Sequence, residues 1–236
     1  ETDAITLGGA SFIKVEGTDF TDSLLVGHST TGTLDAATEN TGIGIDTLDA
    51  LTSADYNTAV GRGAGQAITT GSGLNTFIGS ATGFYNTASG NTAVGAQAMK
   101  AASGDGAGFD NTGIGQTSLT AITSGDRNVG LGAYSLVAVN TGDYNIGLGY
   151  TAGNNITSGS GNVVIGVADV SSATSDDQLS ISDGEDGSVV WMTGDSSANV
   201  TFAAEVAAAT LDISGNIDID GTSNLDAVDI DGAVQI

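Results

Sequence analysis

Residues able to do chemistry are few in this chain, and they are scattered. His28 is the single histidine. A nucleophilic triad needs its imidazole held between the nucleophile and an orienting acid. Asp22 and Ser23 are near in sequence, but nothing implies that arrangement, so His28 reads as an exposed corner residue. Cysteine is absent, which removes disulfides and thiolate chemistry and leaves the redox compartment open. Asp and Glu together number 28, yet no pair falls in an evident pocket-forming context of the kind glycoside hydrolysis uses. Gly147-Leu-Gly149-Tyr-Thr-Ala152 matches the G-x-G-x-x-A form of a dinucleotide fingerprint, which requires a preceding parallel strand and a following helix. Its glycines instead fall on the positions of a repeat. Asn216-Ile-Asp218-Ile-Asp220-Gly221 matches the start of a calcium loop, but the twelfth position, where a bidentate Glu belongs, is Ala227. A solvated Asp face on a strand is the better reading there, with adventitious divalent-cation binding between copies as the alternative. These residues predict no enzyme, no cofactor and no metal site.

Binding is the chemistry left. Tyr56 and Tyr144 immediately precede repeat asparagines, Arg62, Tyr134 and Tyr150 follow glycine corners, and Phe84-Tyr85 occupies a turn. Exposed aromatics on a background of 5% aromatic residues can form a binding surface, so Tyr56, Arg62, Phe84, Tyr85, Tyr144 and Tyr150 are candidate receptor contacts. Edge packing between coils or subunits accounts for them equally well.

The elements that must position these residues come from one phrase said repeatedly. Asn40 opens NTGIG, Asn57 NTAVG, Asn75 NTFIG, Asn91 NTAVG, Asn111 NTGIG, Asn128 NVGLG, Asn145 NIGLG and Asn162 NVVIG; a degenerate SLLVG begins at Ser23. Successive starts lie 17, 17, 18, 16, 20, 17, 17 and 17 residues apart, the signature of a stacked repeat architecture. The fourth residue of each motif is aliphatic and is expected to point inward. The fifth is always glycine (Gly44, Gly61, Gly79, Gly95, Gly115, Gly132, Gly149 and Gly166), the residue that reaches positive φ without steric cost at a tight corner. A second inward residue follows a small one, as in Ala98-Met99, Ser118-Leu119 and Ser135-Leu136. Ser/Thr/Gly/Asp clusters such as Ser124-Gly125-Asp126 then turn the chain towards the next asparagine. Each coil thus reads as strand, glycine corner, short second strand and turn. In register, the asparagines of successive coils form a ladder of side-chain amides.

An all-β, parallel β-solenoid of about nine 17-residue coils is therefore predicted over residues 23–170. Residues 1–22 read as an entry segment or cap, with β-prone runs at Ala4–Leu7 and Ser11–Val15. Residues 171–210 read as a β-hairpin connector, in which Gln178–Ser182 and Ser188–Met192 pair across Asp183–Gly187 and a short strand follows at Val200–Phe202. Phe202–Thr210 fits a short helix or a strand. Residues 211–236 alternate Ile and Val with Asp, the period of a strand, and read as a stalk whose missing face identical chains supply.

Composition excludes several functions. There are 37 glycines and no proline, and four basic residues stand against 28 acidic ones for a net charge of −24. Nucleic-acid binding carries a basic footprint, and none exists here. An anionic membrane surface repels such a chain, and no apolar run approaches the roughly 20 residues that span a bilayer. The charge favours solubility and is better tolerated in salty water, where the Debye length shrinks below about 10 Å. No signal peptide is visible, and a chain starting at Glu1 reads as a processed product or a piece of something longer.

The phrase N-T-A-V-G-x-x-A with S/T-G turns resembles the head repeats of YadA-like trimeric adhesins and similar repeats in bacteriophage tail fibres. The resemblance covers about Ser23 to Val170. It implies a left-handed β-roll and association of three chains about a common axis. The 17-residue repeat is longer than the one usual in adhesin heads, which bears on coil shape and not on stacking. The segments GDSSANVTFAAEV and NLDAVDIDGAVQI are similar to parts of long phage fibres that precede a tip or chaperone domain. The resemblance implies a structural fibre of a virus particle, located on the virion or an extracellular surface. Its expected partners are its own copies, other tail or fibre proteins, and a host-surface glycan or protein. A bacterial surface adhesin is the alternative, and a fibre-borne polysaccharide depolymerase a lesser one.

Overall fold

The computed structural model describes residues 4–7, 10–17, 20–27, 35–71, 73–101, 106 and 108–204. His28, the Asn216–Gly221 stretch and the alternating end at 211–236 lie outside the described residues, as does most of 202–210. The chain divides into two units, Glu1–Ala204 and Glu205–Ile236, and the first holds the fold described below.

Three antiparallel strands enter the structure: β1 (Ala4–Leu7), β2 (Ala10–Gly17) and β3 (Phe20–Val26). A short β4 (Ala37–Thr38) lies beside β3. The motifs then supply β5 (Thr41–Ile43), β6 (Thr58–Val60), β7 (Thr76–Ile78), β8 (Thr92–Val94) and β9 (Thr112–Ile114). They continue as β10 (Val129–Leu131), β11 (Ile146–Leu148) and β12 (Val163–Ile165). From β3 to β13 (Leu179–Ser182) every step past β4 is a parallel pairing, giving a solenoid of about nine turns. β14 (Val190–Gly194) and β15 (Val200–Phe202) close the sheet in antiparallel fashion. The described residues contain no helix, so Gly147–Ala152 is a repeat corner and not a dinucleotide turn.

One expectation is reversed. The fourth residue of the motif points outward: Ile43 is 42% exposed, and Ile78, Ile114, Leu131 and Ile165 are exposed as well. Val60, Val94 and Leu148 are half-exposed in the same register. The third residue faces inward and is buried, as at Ala59, Phe77, Ala93 and Val164. Alternation in a strand of three residues allows only its middle residue to face the core when both neighbours face out. The second inward residues stand as expected, with Leu48, Met99, Leu119 and Leu136 fully buried.

Those two inward positions share one volume. Where the strand carries Phe77, the turns beside it carry Gly65 and Gly83; a Cβ on Gly83 would lie 2.6 Å from the Phe77 ring. Where the strand carries Gly113, Met99 fills the space, and beside Gly42 it is Leu25 with Leu48. Close-packed interiors tolerate little else, because a void forfeits dispersion contacts and an overfull layer forces strain.

The segment after each corner is not a second strand. Alternate residues have positive φ there, as at Asp46 (57°) and Leu48 (52°), Thr117 (60°) and Leu119 (52°), and Tyr134 (60°) and Leu136 (50°). The alternation keeps the segment compact while its backbone still bonds between coils, for example Leu48 N to Ala64 O (3.1 Å) and Ala50 N to Gln66 O (3.0 Å).

The corner glycines are required twice over. Gly79 has φ +137°, and a Cβ there would stand 2.6 Å from the carbonyl oxygen of Gly95 in the next coil. Backbone cannot yield without opening the stack. Gly79→Ala is expected to lower stability by at least about 2 kcal/mol, from the strained φ alone. Gly184→Ala meets open space and is expected to leave the denaturation midpoint within about 0.5 kcal/mol of the parent. Equal midpoints for the two variants would contradict this account.

Candidate functional site: the outward face and its supporting ladder

The strands that present the outward face are fixed by a column of amides directly beneath them. Asn57 Nδ2 donates to Asn40 Oδ1 (3.0 Å), Asn75 Nδ2 to Asn57 Oδ1 (3.0 Å), and Asn128 Nδ2 to Asn111 Oδ1 (3.0 Å). Asn145 and Asn162 continue the column at 3.0 and 2.9 Å. Each Oδ1 also accepts the backbone N–H of the next asparagine, as Asn111 Oδ1 does from Asn128 N (2.8 Å) and Asn75 Oδ1 from Asn91 N (2.9 Å). The second amide hydrogen reaches a carbonyl in the turn that closes the same coil, as Asn128 Nδ2 does at Gly142 O (2.8 Å). The column begins at Ser23, whose Oγ accepts from Asn40 N (2.7 Å), and ends at Gln178, which donates to Asn162 Oδ1 through both its backbone N (2.9 Å) and Nε2 (3.1 Å). Gln178-Leu-Ser-Ile-Ser is thus a further degenerate copy of the motif, and β13 pairs with β12 as any other coil would. Asn91 Nδ2 alone in the column lacks a bonded partner among the described residues. The coil it opens is the longest one, and residues 102–105 of that coil are not described.

Above this column the outward face has two lines of side chains. Register places Val26, Ile43, Val60, Ile78, Val94, Ile114, Leu131, Leu148, Ile165 and Ile181 in one line. The other line holds Thr41, Thr58, Thr76, Thr92 and Thr112, then changes to Val129, Ile146, Val163 and Leu179. No charged residue enters either line. At about 4.8 Å per strand the apolar line is more than 40 Å long, well beyond the scattered exposed aliphatics of an ordinary surface.

The candidate receptor contacts do not converge. Tyr56 (52% exposed) and Tyr144 (56%) lie on the ridge just before the asparagine column, two different heights apart. Arg62 and Tyr150 lie exposed just past their corner glycines. Phe84 and Tyr85 are half-buried, stacked edge to face with centroids 4.7 Å apart, and Tyr85 packs against the core. Three neighbours were not among the candidate contacts. Arg127 lies over the Tyr144 ring at 5.4 Å, donates to its hydroxyl (3.0 Å) and stands 3.9 Å from Asp110. Tyr134 meets Tyr150 edge to face at 6.1 Å, and Phe109 is exposed beside Asp110. The period itself marks Arg127 and Asp110, since both hold the position preceding a repeat asparagine, as Tyr56 and Tyr144 do. Exposed ion pairs of this kind contribute little to stability.

A cleft of about 310 Å³ near the C-terminal coils is lined by Thr151, Asn154, Val167, Ala168, Asp169, Asp186, Gly187 and Val190, with no imidazole among them. No group of three or more potential metal-ligating side chains occurs among the described residues. Within them, no helix is long and apolar enough to cross a membrane. Scans of family models, curated proteins and solved structures find no match for this chain.

Two expectations follow from this geometry. Replacing Asn128 by Ala strips partners from the buried Asn145 N and Nδ2 and from Gly142 O. The loss is expected to be about 3 kcal/mol or more, since each buried orphan costs about 1–3 kcal/mol, and denaturant titration measures it. In the β13–β14 turn, Asp183 accepts from the backbone N–H groups of Gly187 (2.8 Å), Val189 (2.8 Å), Asp186 and Glu185. These bonds favour the ionised carboxylate and hold its pKa below the ordinary 3.8, the Gly187 bond most of all. A depressed folded pKa stabilises the turn above the unfolded value and is lost as pH falls through the folded one. Protection of the Gly187 amide, measured against its intrinsic exchange rate, is therefore expected to fall as pH drops below 3.8, and Asp183→Asn is expected to remove that acid step.

Proposed function

We propose that this chain is a structural fibre protein of a virus particle that serves host attachment as a rigid, homotrimeric spacer. The observation that carries the proposal is the uncharged outward face, which runs along the solenoid and is left uncovered by the described residues. Because the face is parallel to the stacking direction, copies related by rotation about a parallel axis bring it to that axis at every coil at once. With a net charge of −24, copies cannot be drawn together by opposite charges and are held by apolar and backbone contacts. The resemblance to trimeric adhesin heads and phage fibres sets the number at three and the place at the tail. Other tail or fibre proteins are the neighbours, and a host-surface glycan or protein is the target.

Attachment then works through repetition. Exposed ridge residues such as Tyr56, Tyr144 and Tyr150 offer shallow contacts, and several copies acting together raise avidity by about 10² to 10⁴-fold where geometry permits simultaneous contact. No catalytic step is required of the chain. The solution mass at moderate salt is expected to be three times the 23.1 kDa of one chain. Antibodies raised against it are expected to label fibres of purified virus particles in the electron microscope. Label confined to a cell surface would establish the bacterial adhesin instead, and a stable monomer at micromolar concentration would overturn the trimeric rod.

A further inference from the structure

The strands β14 and β15 extend the sheet beyond the last coil, and among the described residues their large apolar side chains have little cover. Ser180 and Ser182, on the inward side of β13, are still buried. Past that point Val190 is half-buried, beside the cleft it lines with Thr151 and Val167. Val189 (51%), Trp191 (55%), Val200 (51%) and Phe202 (51%) are all half or more exposed within one short arm.

Register assigns these side chains to opposite faces. Ile181 pairs with Met192, and Met192 with Phe202; Leu179 pairs with Gly194, and Gly194 with Val200. Paired residues share a face, so Met192, Val200 and Phe202 continue the outward apolar face of the solenoid. Trp191 adjoins Met192 in the strand and takes the other side. The arm is therefore apolar on both faces. A ribbon of this kind is marginal in water without a partner layer, and contiguous exposed apolar surface marks an interaction site.

We infer that β14–β15 is an interlocking arm, covered on both faces by neighbouring copies of this chain. The inference rests on the self-association proposed above. Three observations select a second copy as the occupant. The Phe202 face is continuous with the face through which copies meet. The arm's strands and their coils share one sheet, so rotation about a parallel axis places the arms of all copies at the same height. The two exposed aromatics, Trp191 and Phe202, lie on opposite sides, which lets one copy present Phe202 to the axis while a neighbour covers its Trp191.

Trp191 is the only tryptophan of the chain and reports directly. Its fluorescence is followed in the full chain over a dilution series, with acrylamide as a neutral quencher because iodide is repelled by the negative charge, and with sedimentation mass read on the same samples. Quenching is expected to fall several-fold in step with assembly. Phe202→Asp, at a position 51% exposed, is expected to leave the circular dichroism unchanged. The same variant raises the concentration needed for assembly at least about tenfold, the equivalent of roughly 1.4 kcal/mol. Trp191 that is shielded equally in dilute monomer would show that the chain covers its own arm and would overturn the inference. Trp191 that stays fully quenchable in the assembled protein, or Phe202→Asp that assembles like the parent, would overturn it too while leaving the trimeric rod intact. A parent chain that never assembles removes both.

Discussion

A buried amide must find its hydrogen bonds inside the protein, and here that requirement is met by the amide of a neighbouring coil together with a turn carbonyl. The Asn128 side chain donates one bond to the coil before it and accepts two from the coil after it. An orphaned partner costs about 1–3 kcal/mol, so each coil is committed to its neighbours in a single register. The corner glycines impose the same spacing sterically. A Cβ on Gly44 would stand 2.6 Å from the carbonyl oxygen of Gly61. Every strand thus lands directly on the last, and the outward side chains fall into straight lines. The flat face is a consequence of the ladder and the corner, not a separately built feature.

The two constraints differ in how well they show in the sequence. Asparagine and glycine recur because nothing else meets their demands, and the period, the parallel stack, the corners and the ladder could all be read directly. The inward strand position could not. It is Gly42, Ala59, Phe77, Ala93, Gly113 or Val164 in different coils, since its size is set by the turn residue that shares its layer. That variability hid it, while the constant aliphatic beside it looked like core. An aliphatic residue kept at every coil yet exposed in one chain is the more informative pattern, because hydrophobicity alone does not distinguish a core from a face awaiting a partner. Gln178 escaped for a different reason: its coil keeps the ladder amide but carries Ser182 where the corner glycine belongs, and a hairpin follows. The ridge cluster of Asp110, Arg127 and Tyr144 was readable from position but not from type, since the ridge tolerates any residue that accepts positive φ.

Charge and apolarity divide the surface between them. Among the described residues from 35 to 204 the acidic side chains keep to turns and ridges, as at Asp126, Asp143 and Asp176, where they also accept backbone N–H groups of the preceding coil. The sheet face carries none. At physiological salt the Debye length is about 8 Å, so carboxylates on the far side of a solenoid barely oppose a contact made through the uncharged face. A strongly acidic chain can then remain soluble as a rod and still associate along one line.

Magnitudes decide where that association is anchored. A face of roughly 50 by 7 Å, on the order of 350 Å², contributes about 9 kcal/mol at about 25 cal/mol per Å². Association costs about 4–15 kcal/mol in lost rigid-body freedom before any contact is counted. The face by itself is close to balance, and its N-terminal half is poorer than that estimate because one of its lines is Thr41, Thr58, Thr76, Thr92 and Thr112. The surplus must come from the C-terminal half, where Val129, Ile146, Val163 and Leu179 replace threonine and where the two-faced arm with Trp191 and Phe202 adds aromatic area on both sides. A rod built of nearly identical coils is therefore unequal along its length: the repeats supply reach and stiffness, and the last coils with their arm hold the copies together.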